Sequence, residues 1–293
     1  MSETLLQNHH GHRPQIVYDV AMGGPLTSMD LAAETGVLLT ATDYGQLMLI
    51  AANGEPIHSD LRFDGTESVA FSDSGQFAAI VRNGSQLSFL SPRLKSLWSA
   101  KITGAITALA IAPHGSHVAI GTDACRIHVV DADRRELCKV ETGRPVDFIE
   151  FLQTKAAFVA AAEFGNMYSF DVHGKELWHE KMLNNAGDLS VSPDGNRILL
   201  AAFNHGVQLF DKRGHHLGSF RLDGIPSRAA MSANKKRIGV LTLEHRIIWL
   251  NLDGNVIWAA DLSLDPPEHI CAGPFGDRIF VATASGRVLH LAW

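Results

Sequence analysis

Short apolar segments alternate with polar, glycine-containing turns along nearly the whole chain. In one stretch, the apolar segment 197–202 is followed by a turn at Gly206, and residues 207–210 then alternate apolar and polar positions. Short segments with this alternation, bounded by turn residues, are typical of β-strands. The Ser-Pro-Asp-Gly motif at 192–195 predicts a tight turn between two such strands, because proline fixes φ and glycine adopts positive φ.

This pattern repeats with a period of forty residues. Seven positions, each in a similar small apolar segment, have that spacing: Tyr18, His58, Trp98, Cys138, Trp178, Gly218 and Trp258. A fixed period of about 20–50 residues indicates a repeat architecture, and about forty residues is the length of one four-stranded propeller blade. Turn signals divide each repeat further, so each repeat is predicted to contain four short strands.

The two ends of the chain complement each other. The last repeat ends at Trp293 after its third strand, whereas residues 15–24 align with the fourth strands of the other repeats. We therefore predict an all-β fold, a seven-bladed β-propeller of four-stranded antiparallel blades, with the ring closed by the N-terminal strand pairing into the last blade. The predicted organisation is a flexible N-terminal tail over 1–14 and a single domain over 15–293, with blades over approximately 25–64, 65–104, 105–144, 145–184, 185–224, 225–264 and 265–293 plus 15–24.

Several motifs resemble those of known propellers. The Ser-Pro-Asp-Gly turn, with the Phe-Asp strand ends at 170–171 and 210–211, resembles the WD40 pattern, and segment 171–178 resembles the repeat of quinoprotein-like propellers. Over 15–293 the chain thus resembles the seven-bladed WD40-like and quinoprotein-like (PQQ-like) β-propeller repeat superfamily. No repeat pairs a Gly-His opening with Trp-Asp, which departs from the WD40 pattern. The resemblance implies an architecture more than an activity, since superfolds host many unrelated functions.

Composition narrows the classes of partner and cofactor. Quinoprotein dehydrogenases usually are secreted and carry pyrroloquinoline quinone (PQQ) and calcium, whereas this chain has no export-signal pattern and no adjacent cysteine pair, so we expect no PQQ, no other cofactor and no metal. The net charge of −6 and the lack of a dense basic run argue against nucleic acid. No apolar run is long enough for a membrane span, so we expect no membrane insertion. Three cysteines without CxxC spacing are typical of reduced thiols, and we expect a cytoplasmic protein.

In a propeller, the first strand of each repeat lines a central channel. One alternation along these strands is apolar and is expected to pack between sheets, and the other is expected to face the channel. The first channel ring is predicted to be Ser28, Ser68, Ala108, Phe148, Asp188, Arg228 and Glu268. The second ring is predicted to be Asp30, Ala70, Ala110, Glu150, Ser190, Ala230 and Ile270.

The charged members of these rings are the channel ligand candidates: Asp30, Glu150, Asp188, Arg228 and Glu268. They have three interpretations: a charge network that satisfies polar strands around a wet channel, a contact site for a ligand or peptide, or a catalytic site. A catalytic site would use the carboxylates as metal ligands or as an acid–base pair, and a binding site would use Arg228 as a fork for carboxylate or phosphate. His269 falls in the apolar alternation, and no ring contains a histidine cluster, so a transition-metal site is not expected.

A second candidate surface lies where the channel strands begin. The loops between second and third strands share this face with the loops between blades, and exposed aromatic residues there suit a protein contact. The alternative is ordinary turn chemistry, with the aromatic side chains folded back onto their own blades. The partner-binding candidates are Asp43, Tyr44, Arg82, Glu163, Phe164, Phe203, His205 and His245.

The sequence contains no GxSxG, phosphate-loop, HExxH or GxGxxG motif, and we assign no catalytic residue. We therefore expect a non-catalytic scaffold or adaptor that binds a protein or peptide. The alternatives are a hydrolase- or lactonase-like enzyme with its site in the channel, and a small-ligand sensor that uses the acidic central channel.

Overall fold

The fold is all-β, as predicted. A computed structural model describes residues 5–234 and 236–293, and the side chains of residues 183 and 184 are not described. Every regular element in these ranges is a β-strand, so they contain no helix that is long and apolar enough to cross a membrane. Antiparallel pairing joins the strands into sheets, most of which have four strands.

We group the strands into seven units, numbered along the chain. The N-terminal strands are β1 (Gln7–Gly11) and β2 (Gln15–Ala21). Unit 1 contains β3 (Leu26–Ala32), β4 (Val37–Thr42), β5 (Leu47–Ile50) and β6 (Pro56–Asp60). Unit 2 contains β7 (Thr66–Phe71), β8 (Ala78–Arg82), β9 (Gln86–Leu90) and β10 (Ser96–Lys101). Unit 3 contains β11 (Ile106–Ile111), β12 (His117–Thr122), β13 (Arg126–Asp131) and β14 (Glu136–Glu141).

Units 4 and 5 share one long strand. Unit 4 contains β15 (Phe148–Phe151), β16 (Ala157–Ala161), β17 (Phe164–Asp171) and the first part of β18 (Glu176–Val191). Unit 5 contains the last part of β18 with β19 (Arg197–Ala202), β20 (Gly206–Asp211) and β21 (His216–Phe220). Unit 6 contains β22 (Pro226–Met231), β23 (Arg237–Thr242), β24 (Arg246–Asn251) and β25 (Val256–Asp261). Unit 7 contains β26 (Pro267–Ala272), β27 (Arg278–Thr283) and β28 (Arg287–Ala292).

The N-terminal strand β2 supplies the fourth strand of unit 7. It pairs antiparallel with β28, and Tyr18 lies opposite His290. Unit 7 therefore combines the two ends of the chain in one sheet of order β2-β28-β27-β26.

The segment predicted as a flexible tail differs from expectation. Residues 1–4 lie outside the described part of the chain, but Gln7–Gly11 form β1, which adds a fifth strand to unit 6 by pairing with β25. Leu6 is buried against the core of units 6 and 7. Backbone groups on the edge of β25 are available to any extended segment, so a polar sequence can pair there without an apolar alternation that would mark it as a strand.

Neighbouring units pack face to face. There are seven clusters of buried apolar side chains, and each is shared by two successive units. The seventh cluster joins unit 7 to unit 1. Each first strand also contacts the first strand of the next unit, in the order β3, β7, β11, β15, β18, β22 and β26. The last of them, β26, contacts β3. The first strands thus lie side by side at the inner edge of every unit.

The residues with forty-residue spacing explain part of this packing. Several of them contact the turn between the third and fourth strands of the next unit, which we call its third turn. The Nε1–H of Trp98 in unit 2 donates to the carbonyl of Ala132 in unit 3 at 2.8 Å. In unit 5, a Cβ atom at Gly214 would lie 2.9 Å from Cε3 of Trp178 in unit 4. Position 214 therefore requires glycine for two reasons: its φ is +83°, and the indole ring of Trp178 approaches it closely.

We predict that Gly214→Ala lowers the free energy of unfolding by about 2–4 kcal/mol, through a left-handed backbone and a collision with Trp178. Gly84→Ala is the matched control, because Gly84 has a φ of +68° but a Cβ atom added there would have no other atom within 4 Å. We expect it to cost about 1–2 kcal/mol, from the backbone alone. Urea unfolding followed by tryptophan fluorescence measures both values, and equal losses would contradict the proposed contact.

Candidate functional site

The first strands surround a polar cavity. Two adjoining cavities of about 400 and 270 Å³ share Asp30, Glu150 and Asp188 in their walls, and we refer to them together as the central cavity. The larger one is lined by units 1 to 5, and the smaller one extends to units 6 and 7. Three of the five channel candidates therefore lie in the walls of the same cavity.

Asp30 and Ser28 of unit 1 bind the backbone of unit 2. The Oδ2 atom of Asp30 accepts from the N–H of Phe71 at 2.6 Å, and Oδ1 accepts from the N–H of Leu31 at 2.8 Å. One pleat away, the Ser28 hydroxyl accepts from the N–H of Val69 at 3.1 Å. Both inter-unit bonds join residues that are 41 apart, so β3 and β7 run in the same direction.

Units 4, 5 and 6 repeat this arrangement with the same offset. The Oε2 atom of Glu150 accepts from the N–H of Val191 at 2.5 Å. In the next unit, Oδ2 of Asp188 accepts from the N–H of Ala229 at 3.0 Å, and Ser190 Oγ accepts from the N–H of Met231 at 3.1 Å. The carboxylates therefore supply acceptors for backbone N–H groups of the neighbouring first strand, which would otherwise lack a partner at the edge of their sheet.

Glu268 does not lie in the first ring, which corrects the sequence prediction. Thr242 pairs with Pro226 in unit 6, and Thr283 pairs with Pro267 in unit 7, so the two strands are offset by 41 residues. From Trp258 in the fourth strand to Pro267 the chain advances nine residues, against eight from the equivalent Gly218 to Pro226, and a one-residue shift exchanges the two faces of a strand. Glu268 lies at the irregularity in β26 and is exposed.

His269 and Cys271 take the places expected for Glu268 and Ile270. His269 lies opposite Ala282 and Cys271 opposite Phe280, whereas Ile270 packs against the core of units 6 and 7. Cys271 lines the central cavity, and its Sγ is 4.0 Å from the carbonyl oxygen of Met29 in unit 1. The signal for this shift was present in the turn glycines, because Gly195 and Gly276 are 81 residues apart, one more than two periods.

Burial dominates the electrostatics of the cavity. It raises the pKa of Asp30 to about 7 and that of Asp188 to about 6, although the Arg228 charge opposes the second shift. Burial, aided by the charges of Asp188 and Asp30, holds the pKa of Glu150 well above its usual value. Burial and the same three carboxylates raise the pKa of the Cys271 thiol. The cavity therefore favours protonated, neutral groups.

Arg228 is a half-buried cation whose charge acts on Asp188. Its Nη1–H group donates to the carbonyl of Gly187 at 2.7 Å, which joins units 5 and 6. Burial and the Arg228 charge lower the pKa of His269 to about 4, so this histidine is neutral near pH 7. Arg228 thus has a backbone partner and a carboxylate neighbour, and both hold it within the structure.

A polar contact at the opposite end of the first strands was not anticipated from the sequence. The Nε2–H group of Gln153 in unit 4 donates to Oδ2 of Asp73 in unit 2 at 2.6 Å. Both side chains line the cavity, and burial raises the pKa of Asp73. Because the two residues are 80 apart and lie in turns, no local pattern identifies them as partners.

The hydrogen bonds of the carboxylates count against both the ligand-contact and the catalytic interpretation of the cavity. Asp30 and Asp188 use both of their carboxylate oxygens to accept backbone hydrogen bonds. Among the described residues, no group of three or more His, Cys, Asp or Glu side chains has an arrangement that could hold a metal ion. The arrangement matches the charge-network interpretation, in which the carboxylates satisfy the strands around a polar cavity.

The loop face consists of the turns between second and third strands and the loops between units, and all eight partner-binding candidates lie on it. Six of them are exposed: Asp43, Tyr44, Glu163, Phe164, His205 and His245. The other two are half-buried and fold back onto the chain. A Cβ atom at Gly187 would lie 2.9 Å from Cζ of Phe203, and the Arg82 guanidinium lies over the Phe63 ring, 5.8 Å from its centre.

The loop face also exposes aliphatic side chains that the sequence reasoning missed. They are Leu61, Ile225, Leu243 and Leu264. These aliphatic residues adjoin apolar strands and resemble core positions in the sequence pattern, whereas the predicted candidates are aromatic or charged. Only the exposure of these side chains distinguishes a surface position from a core position, and exposure depends on the tertiary packing.

We predict that Asp30→Asn changes how stability depends on pH. A folded-state pKa of about 7, against an ordinary 3.8, means that the stability due to Asp30 is present at low pH and is lost as the pH rises towards 7. Asparagine does not titrate in this range, so the difference in unfolding free energy between the wild type and the variant should fall by about 2–3 kcal/mol from pH 5 to pH 8. The pKa values of His269 and His290 are each lowered to about 4, so these histidines make stability rise with pH and oppose the effect of Asp30. The difference between the wild type and the variant removes their contribution and isolates that of Asp30.

Glu268→Gln is the matched control, because it removes an exposed carboxylate that lies outside the cavity. Its difference from the wild type should stay constant with pH. Urea unfolding at several pH values measures all three proteins. Parallel curves for Asp30→Asn and the wild type would rule out a proton-binding role for Asp30.

No family model matches this chain, and a search of curated proteins finds no match. The central cavity and the loop face are therefore the features on which a functional assignment depends.

Proposed function

We propose that the seven units form a closed seven-bladed β-propeller of the WD40-like and quinoprotein-like kind, in which β2 completes the last blade. The contact of β26 with β3 and the core shared by units 7 and 1 support closure of the ring. The constant offset of 41 residues between hydrogen-bonded first strands supports equal orientation of the blades. In this arrangement the central cavity is the channel of the propeller.

The proposed function is a non-catalytic scaffold or adaptor that binds a protein or peptide through the loop face. The observation that carries it is the distribution of exposed large apolar side chains among the described residues. On the loop face they are Tyr44, Leu61, Phe164, Ile225, Leu243 and Leu264. The opposite face has Phe275 alone, and the remaining six lie one each on the fourth strands of six units. Six exposed apolar side chains on one face, against one on the opposite face, favour the loop face as the protein contact surface.

A second candidate is a channel site for a small ligand, in a sensor or a hydrolase-like enzyme. The observation that favours it is a polar cavity with carboxyl groups whose pKa values lie near neutrality. Against it stand the backbone hydrogen bonds that already occupy both oxygens of Asp30 and Asp188. A small molecule retained by the purified protein in native mass spectrometry would favour this candidate.

We also propose that the protein acts in the cytoplasm. Its three cysteines, Cys125, Cys138 and Cys271, are free thiols. Free thiols persist in a reducing compartment.

We predict that the double variant Tyr44→Ser, Phe164→Ser loses its protein partner. The two aromatic side chains are 70% and 43% exposed, so their removal should leave the fold intact while taking away contact area. Affinity purification of the tagged full-length chain, with quantitative mass spectrometry, should recover the partner about tenfold less, which corresponds to ~1.4 kcal/mol.

Phe275→Ser is the control, because Phe275 is 72% exposed on the opposite face. It should recover the partner at the wild-type level. If the partner is lost with Phe275→Ser and kept with the double variant, the contact surface lies on the other face.

A further inference from the structure

One sector of the loop face combines exposed aliphatic side chains from three neighbouring loops. Ile225, Leu243 and Leu264 are 40%, 53% and 70% exposed. The N–H of Leu243 donates to the carbonyl of Ile225 at 2.9 Å, so their backbones are adjacent. The N–H of Leu262 donates to the carbonyl of His245 at 2.8 Å, which brings the loop of Leu264 beside the same turn. We call these three side chains and their loops the unit 6 sector.

Carboxylates surround the unit 6 sector. The segments 221–225, 243–246 and 261–268, which comprise its loops and the adjoining strand ends, contain five acidic residues and two arginines. The acidic residues are Asp223, Glu244, Asp261, Asp265 and Glu268, of which Asp223, Glu244 and Glu268 are exposed. Glu244 is held next to the apolar side chains, because its Oε2 accepts from the N–H of Ile225 at 2.9 Å.

The arginines offset only part of this charge. Arg246 is mostly buried and already pairs with Asp223 and with Asp261, the latter at 2.9 Å. Arg221 is exposed at the outer end of the first loop. Within the described part of the chain, Glu244 and Glu268 therefore remain as exposed negative charges that these arginines do not neutralise.

We propose that the unit 6 sector is the docking site for a basic, apolar linear segment of a partner protein. This inference rests on the proposed binding function and names the chemistry of its partner. Large apolar side chains of the segment would cover Ile225, Leu243 and Leu264, and flanking Lys or Arg would meet Glu244 and Glu268. Burial of the aliphatic contact supplies the affinity, and the charges select the partner.

Charge excludes the other occupants of such a surface. An anionic lipid surface or a nucleic acid would place phosphates against the exposed carboxylates of the sector. A second copy docked with two-fold symmetry would bring two acidic sectors together, and like charges across an interface are unfavourable. A basic segment is the occupant whose charge complements the sector.

A random library of short displayed peptides, selected on the immobilised full-length chain, tests this inference. The enriched peptides should combine Lys or Arg with large apolar residues. Each is then synthesised with a fluorescent label and titrated by fluorescence anisotropy. With Leu243→Ser, Leu264→Ser the Kd should rise about tenfold or more. With Glu244→Gln, Glu268→Gln it should rise about threefold to fivefold, and binding should depend less on salt.

Two matched variants make the result decisive. Phe275→Ser should leave the Kd unchanged, because it alters a similar exposed side chain on the opposite face. If the peptides bind with wild-type affinity to both sector variants but weakly to Tyr44→Ser, Phe164→Ser, the sector is wrong and the loop-face function stands. If no basic peptide is enriched, the sector inference fails, and the partner purification described above decides the proposed function separately.

Discussion

The structure depends on how the inner edges of its sheets are satisfied. The first strands of six units are edge strands of their sheets, and in unit 5 residues 186–191 of β18 pair only with β19, so the inner side of every first strand has no paired strand. Asp30, Glu150 and Asp188, helped by Ser28 and Ser190, place acceptors on the N–H groups of the next unit. A buried backbone N–H without a partner costs about as much as a lost hydrogen bond, so these side chains replace a missing strand.

This constraint also explains the electrostatics of the cavity. The carboxyl groups must reach the neighbouring backbone, so they lie where burial raises the pKa of Asp30 and of Asp188 towards neutrality. Perturbed pKa values are often a sign of a catalytic site, but structural networks produce them as well. Here burial raises the two pKa values and the backbone hydrogen bonds oppose the rise, and the structural role of the carboxyl groups explains why they are buried. The cavity is thus a place where polar groups hold the units together, and its acidity follows from that role.

The loop face has more freedom, because most of its exposed side chains have no such structural task. Tyr44 extends from a turn and Phe164 from the start of β17, and the backbone at both places is already hydrogen-bonded or paired. Ile225, Leu243 and Leu264 stand beside exposed carboxylates. A rigid scaffold of sheets that presents adaptable loops at one end is a common way to build a recognition surface. Our functional proposals follow from this division between a cavity engaged in structure and a face left open to contact.

The sequence by itself determined the strands, their antiparallel order and the pairing of the Tyr18 strand with the end of the chain, because apolar alternation and turn residues are local signals that return every forty residues. It also predicted Asp30, Glu150 and Asp188 among the channel candidates, and the structure places these three in the walls of the central cavity. The strand pairing placed His269 and Cys271 where Glu268 and Ile270 were expected, because one extra residue before β26 changes the face of the strand, and the 81-residue spacing of Gly195 and Gly276 is the sequence signal of this shift. The strand at Gln7–Gly11, the Asp73–Gln153 contact and the exposure of Leu243 and Leu264 depend on which distant segments meet, and no local pattern encodes that.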